Sequence, residues 1–197
     1  KMNYSIFDVD GTILDSMEVW NTLASRYIQS LDRIPEKNLD KIVSEMSLEQ
    51  SAIYLKKRYR IYKQEEVIIS EVLNLISDFY KHEVKLMPGF KDFITHFDSM
   101  NVIGTSCDEE LVKSALKRLG VLDYFEDIMT CSKVNKGKDD PGFYLACADI
   151  LEQKPDNIFV FEDADYCIDA ARKVGFKVIK IKDWRDLNEE CINNCGK

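Results

Sequence analysis

The 197-residue chain is 45% hydrophobic and 31% charged, the composition of an ordinary globular protein long enough to bury a sizeable core. Its formal net charge of −8 argues against nucleic acid as a partner, because binding a phosphate backbone requires a basic face. The sequence has no apolar run of about eighteen residues, so we expect no membrane-spanning helix and no membrane partner.

The cysteines do not form the paired spacing of a zinc or redox motif, and only His82 and His96 could join them as zinc ligands. The segment 1–13 does not resemble a secretory signal. We therefore expect free thiols in a reducing cytoplasm. Cys191 and Cys195 are spaced for contact on a possible helix near the end of the chain.

Short β-prone segments alternate with amphipathic helical patterns through most of the chain. The two clearest helical patterns cover 108–119 and 165–174, and Gly120 and Gly175 stand where each helix should stop. This alternation predicts βαβ units and an α/β fold with a Rossmann-like parallel sheet. The predicted strands are 3–7, 101–104, 127–130, 157–161 and 177–181.

The segment from 16 to 87 interrupts this alternation with consecutive helical patterns. An apolar stripe runs from Met17 to Leu31, a capping box opens the next helix at Ser47, and a third stripe runs from Ile68 to Phe79. The turn at Pro88 and Gly89 marks the return to strand and helix. We therefore predict an α/β core domain of residues 1–15 and 88–197, with a helical domain of residues 16–87 inserted.

The link before the second strand is unusual. A helical pattern begins at Phe90 and runs to Met100, and the strand pattern begins at Asn101. Most helix–strand connections take a few residues, so this spacing predicts either a very tight link or residues missing from it.

The strongest chemical signal follows the first strand, where Asp8 and Asp10 are separated by one residue and precede Gly11 and Thr12. Ligands of parallel α/β sheets bind beyond the carboxyl ends of the strands. Two neighbouring carboxylates repel each other and need a cation, and oxygen ligands favour magnesium. The alternative is a plain Asp-Gly turn.

Two segments after later strands fit the same site. Thr105 and Ser106 follow the second strand, where hydroxyls and N–H groups at a helix start bind phosphate, although such residues are also common helix caps. Lys138 lies in a polar loop before a helix and is placed to neutralise a phosphoryl group, with Lys136 as a close rival.

The acidic pair Glu162 and Asp163 follows the fourth predicted strand. Carboxylates after an otherwise buried strand are costly unless they face solvent or bind a metal. Both possibilities remain open from these residues alone.

Four segments together resemble the haloacid dehalogenase superfamily of phosphotransferases over nearly the whole chain. They occur in the family's order: FDVDGT at 7–12, GTS at 104–106, GKDDP at 137–141 and FEDADYCIDAARKVG at 161–175. The inserted helical segment resembles the small cap of the branch that contains β-phosphoglucomutase and phosphoglycolate phosphatase.

The resemblance implies a role for each matching residue. Asp8 corresponds to the nucleophile that accepts the phosphoryl group, and Asp10 to the general acid and base. Thr105, with Ser106 beside it, and Lys138 correspond to the phosphate-binding residues.

The resemblance also implies a magnesium site. Asp8, Asp163 and the backbone carbonyl of Asp10 would hold Mg²⁺, with Glu162 in support. The expected substrate is a small phosphorylated metabolite, perhaps a sugar phosphate, over which the cap opens and closes.

The chain departs from the family pattern at three places. Asp139 replaces a proline after the motif lysine, which should change the stiffness of the loop. Trp20 stands where the mutase pattern has a histidine, and Glu45 to Leu48 lacks the arginine of the mutase cap. A phosphatase is therefore favoured over a phosphomutase, and a non-catalytic phosphate-binding regulatory protein is the third possibility.

The sequence does not determine the roles of two features of the helical segment. Trp20 either packs in the core of that segment or stacks on a substrate. The basic run from Lys56 to Arg60 either forms a solvated helix face or contacts a substrate phosphate. The sequence does not determine the oligomeric state.

Overall fold

The computed structural model describes residues 2–44 and 46–195, so Glu45, part of the comparison with the mutase cap, lies outside the described residues. One five-stranded sheet organises most of the chain, and all of its strand pairs are parallel. This arrangement confirms the predicted α/β fold class. The strands are β1 (Asn3–Phe7), β2 (Ser99–Thr105), β3 (Asp127–Thr130), β4 (Phe159–Glu162) and β5 (Lys177–Lys180), in the spatial order β3-β2-β1-β4-β5.

Eleven α-helices and three short 3-10 helices occur in the described residues. None of these helices combines the length and hydropathy that a transmembrane span requires. The α-helices are α1 (Met17–Asn21), α2 (Leu23–Ser30), α3 (Leu39–Val43), α4 (Leu48–Arg58), α5 (Glu65–His82), α6 (Phe90–His96), α7 (Glu109–Arg118), α8 (Cys131–Val134), α9 (Pro141–Leu151), α10 (Asp165–Lys173) and α11 (Glu189–Asn193). The 3-10 helices are Leu122–Tyr124, Pro155–Asn157 and Trp184–Asp186.

The link between α6 and β2 is tight. The prediction that α6 continues to Met100 is wrong, because the helix ends at His96 and β2 begins at Ser99. Only Phe97 and Asp98 connect them, and the Asp98 carbonyl accepts a hydrogen bond from the amide of Asn3 at 3.2 Å. Pairing with β1 therefore extends β2 towards its N-terminus.

Both faces of the sheet are covered by apolar side chains, as expected of a parallel sheet. Ile6 of β1 belongs to a cluster built with α9 and α10. Its neighbour Phe7 points to the opposite face, because successive strand residues alternate. There it stacks on Phe161 of β4 and on Trp184 from beyond β5.

The chain divides into two compact units. The helical unit is Ser16–Glu83, and the sheet unit contains the residues up to Asp15 and from Val84 onwards. The second boundary lies four residues before the predicted one, because backbone hydrogen bonds join residues 85–87 to 13–15 within the sheet unit. The amide of Asp15 donates to Lys85 at 2.9 Å, and that of Met87 donates to Ile13 at 2.7 Å.

The helical unit contains the predicted capping box, in which the Ser47 hydroxyl accepts from the amide of Gln50 and the Gln50 side chain accepts from the amide of Ser47. The first predicted stripe is divided into α1 and α2 at Thr22. The Thr22 hydroxyl donates to the carbonyl of Glu18 at 2.6 Å, a local bond that competes with helical geometry.

Candidate active site

The loop after β1 forms a tight turn in which several amides donate to one carbonyl. The Val9 carbonyl accepts hydrogen bonds from the amides of Thr12 and Ile13 at 3.2 and 2.9 Å. Gly11 has a φ of +80°, a conformation that costs residues with a Cβ atom free energy. The Asp-Gly sequence therefore forms the expected turn, and the turn leaves Asp8 at the end of the strand.

Strand register places the ends of β1, β2 and β4 side by side. Phe7 pairs with Ile103 on one side and with Phe161 on the other. The amide of Asp8 continues the second pairing by donating to the Phe161 carbonyl at 3.0 Å. Asp8 is consequently flanked by Gly104 and Glu162, at the edge where ligands of such sheets bind.

Lys138 joins these three strand ends through a buried ammonium group. Its Nζ donates to Asp8 Oδ1 at 2.6 Å, to Glu162 Oε2 at 2.6 Å and to the carbonyl of Gly104 at 3.1 Å. The rival Lys136 is exposed, and its Nζ lies 3.5 Å from an oxygen of Asp140. Of the two lysines, Lys138 is therefore the one within this group of residues.

Glu162 is buried and accepts hydrogen bonds on both carboxylate oxygens. Oε1 accepts from the amides of Asp163 and Ala164 at 3.0 and 3.3 Å. Oε2 accepts from the Tyr144 hydroxyl at 3.2 Å in addition to Lys138. Sequence reasoning missed Tyr144; its only signal was a polar aromatic residue within the otherwise apolar stretch of α9.

Thr12 connects the first motif to the last. Its hydroxyl lies 3.0 Å from Asp8 Oδ2 and 3.4 Å from Asp163 Oδ1 and has one hydrogen to donate. Its carbonyl accepts from the indole N–H of Trp184 at 2.7 Å. No local sequence pattern predicts the contact between Thr12 and Trp184, because 172 positions separate the two residues.

Three carboxylates lie close enough to share one cation. Ligand oxygens of Asp8, Glu162 and Asp163 all lie within 4.8 Å of one another. An all-oxygen donor set suits Mg²⁺ or Ca²⁺ better than zinc. The side chain of Asp10 is not part of this group, and its expected contribution to a metal site was through the backbone carbonyl.

The charges around Asp8 favour its ionised form. Burial by itself would raise the pKa of Asp8, but the charge of Lys138 and hydrogen bonds to the carboxylate outweigh burial and lower this pKa below its usual value. Burial alone would lower the pKa of Lys138, but the charges of Asp8 and Glu162 hold it well above its usual value. The two groups therefore form a buried ion pair.

The other two carboxylates have too little positive charge nearby. Burial and the charge of Asp8 raise the pKa of Glu162 to about 9. Burial and the hydrogen bond with Asp8 raise the pKa of Asp163 to about 6. Three acids share one ammonium group, so a divalent cation would compensate the excess negative charge, and the residues fit such a group.

The segment after β2 differs from the prediction. The helix does not start at Thr105 and Ser106: α7 begins at Glu109, and its N-cap is Asp108. Thr105 is buried, and its hydroxyl accepts from the amide of Cys107 at 3.0 Å, while Ser106 is exposed. The alternative that these two residues cap the helix is therefore also wrong, and both lie in the turn that follows the strand.

The helical unit has a cavity of about 510 Å³ with a mainly apolar lining. Trp20 lines it, is half-buried and donates its indole N–H to the Tyr80 hydroxyl at 2.8 Å. The buried residues of its lining include Ala24, Ala52, Leu55, Ile68 and Val72. Trp20 therefore packs at the wall of a cavity, and its indole nitrogen has a partner within its own unit.

Two residues of the basic run form surface ion pairs. Lys56 lies 3.6 Å from Glu65, and Arg58 lies 3.0 Å from Glu36. These pairs favour the interpretation of a solvated helix face. All six cysteines are free thiols, and Cys195 contacts the Val178 carbonyl at 3.7 Å.

The family of this chain follows from its similarity to known proteins. Residues 5–181 match the model of the haloacid dehalogenase-like hydrolases, so the chain belongs to that family, as its four motifs predicted. The β-phosphoglucomutase of Bacillus subtilis (strain 168) is 27% identical over 190 residues, which cover 91% of this chain and 83% of that protein.

Two further similarities agree with this assignment. The phosphorylated carbohydrates phosphatase of Thermotoga maritima is 26% identical, with 90% of this chain and 84% of that protein covered. The fold also resembles the crystal structure of a candidate β-phosphoglucomutase from Thermotoga maritima, with a TM-score of 0.80, 21% identity, and coverage of 98% of this chain and 91% of that one. These findings confirm an enzyme of the haloacid dehalogenase-like phosphatase type, in the predicted branch.

Proposed function

We propose that this enzyme is a magnesium-dependent phosphatase that hydrolyses a small phosphomonoester through an aspartyl phosphate on Asp8. The observation that carries the proposal is the environment of Asp8. Its carboxylate is buried, and the charge of Lys138 helps to hold its pKa below the usual value. One of its oxygens accepts from Lys138 and the other from Thr12. These contacts fix the rotation of a nucleophile whose attack requires alignment with the phosphorus atom.

In the first step, a carboxylate oxygen of Asp8 attacks phosphorus, and the bond from phosphorus to the ester oxygen breaks. Asp10 donates its proton to that leaving oxygen, and the alcohol departs. In the second step, Asp10 takes a proton from water, whose oxygen attacks the phosphorus of the aspartyl phosphate. Asp8 and inorganic phosphate are thereby released, and Asp10 is protonated again.

Lys138 would counter the repulsion between a carboxylate and a dianionic phosphate group, assisted by donors of Thr105 and Ser106. Asp8, Asp163 and the Asp10 carbonyl would hold Mg²⁺, with Glu162 in support. When bound, Mg²⁺ supplies positive charge that offsets the negative charge of the phosphoryl oxygens.

We propose a sugar phosphate or a similar metabolite as the substrate. The phosphorylated carbohydrates phosphatase of Thermotoga maritima supports this class of substrate. The helical unit would act as a cap that selects the organic part of the substrate, and its cavity is of a size that small molecules occupy. The six free thiols support a reducing compartment such as the cytoplasm.

The test is a panel of phosphorylated metabolites assayed for released phosphate with Mg²⁺ and with a chelator. We expect Mg²⁺-dependent turnover that Asp8→Asn abolishes while the far-UV circular dichroism and the unfolding midpoint change little. Substantial activity in Asp8→Asn would refute the nucleophile. A panel without any turnover or phosphoenzyme would instead favour the non-catalytic regulatory protein.

A phosphomutase is the second candidate, because the Bacillus subtilis β-phosphoglucomutase is a relative over most of its length. Trp20 and Leu48 stand at the positions of the mutase histidine and arginine and argue against it. A mutase would transfer the phosphoryl group to another position of the same sugar, in a reaction that depends on a bisphosphate activator. Isomer analysis of the products distinguishes this outcome from simple release of phosphate.

A further inference from the structure

Trp184 lies outside the four family motifs but contacts the loop after β1, which contains the first motif. It belongs to a 3-10 helix after β5 and is 2% exposed. Its indole N–H donates to the carbonyl of Thr12 at 2.7 Å. A buried indole needs an acceptor, and the acceptor here is the backbone of the motif loop rather than a neighbouring side chain.

Thr12 also contacts two of the acidic residues. Its hydroxyl lies within hydrogen-bond distance of both Asp8 and Asp163. A change in the position of the Thr12 backbone would therefore move a donor that two carboxylates share. The three groups form a short chain from the indole to the candidate metal ligands.

The ring of Trp184 also packs against the strands that carry the carboxylates. Its centroid lies 6.0 Å from that of Phe7 and 5.4 Å from that of Phe161. These two residues immediately precede Asp8 and Glu162. The indole therefore contacts the ends of β1 and β4 as well as the loop between β1 and α1.

We infer that Trp184 is a positioning residue of the active site, which holds the Thr12 carbonyl and thereby the spacing of the metal-binding carboxylates. The inference rests on the proposed function, since it assigns these carboxylates to Mg²⁺. Outer hydrogen bonds of this kind orient metal ligands and tune the affinity for the metal.

The test uses Trp184→Phe, which keeps an aromatic ring but removes the N–H donor. Metal-free protein is titrated with Mg²⁺ by calorimetry. We expect roughly tenfold weaker binding, the low end of the loss that follows removal of an outer hydrogen bond around metal ligands. In turnover assays with a phosphomonoester at saturating Mg²⁺, kcat should fall while KM changes little, because the loop is displaced and the helical unit is intact.

Two further variants separate the hydrogen bond from packing. Phe93→Leu perturbs the same aromatic cluster, with its ring centroid 4.7 Å from that of Trp184, and should lower stability without weakening Mg²⁺ binding. Benzothienylalanine at position 184 keeps the bicyclic shape without the N–H and should reproduce the loss seen in Trp184→Phe.

Mg²⁺ affinities of Trp184→Phe and of the benzothienylalanine variant equal to that of the parent would overturn the inference, as would a parent that binds no Mg²⁺. A parent that binds Mg²⁺ but hydrolyses no phosphomonoester would refute the proposed function alone. The comparison of affinities then still decides the role of Trp184.

Discussion

Lys138 shows how single residues set the chemistry of the site. A buried lysine is costly unless it is paired, and this one has two carboxylates and a carbonyl as acceptors. Both lysines lie in one polar loop, so the loop composition alone leaves Lys136 as a close rival of Lys138. Their environments separate them, since Lys136 is exposed and Lys138 is 5% exposed.

Lys138→Met should abolish activity and destabilise the protein. Removing one partner of a buried ion pair leaves Asp8 and Glu162 without their cation, at a cost of about 3 kcal/mol or more in the free energy of unfolding. Denaturant unfolding in the presence of a chelator measures this change. The matched control Lys136→Met should stay within about 0.5 kcal/mol of the parent, and equal losses in both variants would contradict the assignment.

The raised pKa of Asp163 predicts how metal binding depends on pH. Its folded pKa of about 6 lies above the unfolded value of 3.8, so its contribution to stability in metal-free protein is present below pH 3.8 and is lost as pH rises through about 6. Mg²⁺ binds the ionised form, so the stabilisation by Mg²⁺ should grow over the same range.

Unfolding free energies with excess Mg²⁺ and with a chelator, compared at about pH 5 and about pH 7, measure this effect. We expect a larger difference at the higher pH. Asp163→Asn should flatten the dependence. A difference that is equal at both pH values would speak against Asp163 as a ligand.

At the scale of elements, local signals predicted most strands and helices but not every boundary. The glycines at 120 and 175 both adopt positive φ after α7 and α10, as their positions indicated. The division between α1 and α2 was not predicted, because the apolar stripe continues across Thr22. The Thr22 hydroxyl donates to the Glu18 carbonyl at this break, and hydrophobic periodicity carries no information about such a bond.

Ser47→Ala should destabilise the helical unit through the loss of the α4 cap. Its hydroxyl accepts from the amide of Gln50 at 3.1 Å, and removing such a cap costs about 1 kcal/mol. Thermal and denaturant unfolding of the whole chain measure the loss. Ser70→Ala, at an exposed position within α5, is the control and should be nearly neutral.

At the scale of the whole molecule, the parallel sheet gathers residues that are far apart in the sequence. Asp8 and Lys138 are 130 positions apart, yet their side chains are in contact. The helical unit Ser16–Glu83 is a separate compact body with its own core and cavity. Substitutions in the two units should therefore affect different steps.

Ala52→Leu is expected to alter substrate selection without altering the metal site. Ala52 lines the cavity of the helical unit and is 2% exposed, so a larger side chain would reduce the cavity volume. KM values across the metabolite panel should change, while calorimetric Mg²⁺ affinity stays at the value of the parent. Unchanged KM values for every substrate would show that this cavity takes no part in substrate binding.

The sequence by itself determined the α/β class through its periodicity, and the resemblance of its four motifs to a known family identified the acidic residues and Lys138. Only the tertiary structure brought Tyr144 and Trp184 to the site and joined Thr12 to Asp163. Those contacts join positions separated by 18 to 172 residues, and strand register rather than local pattern brings such positions together.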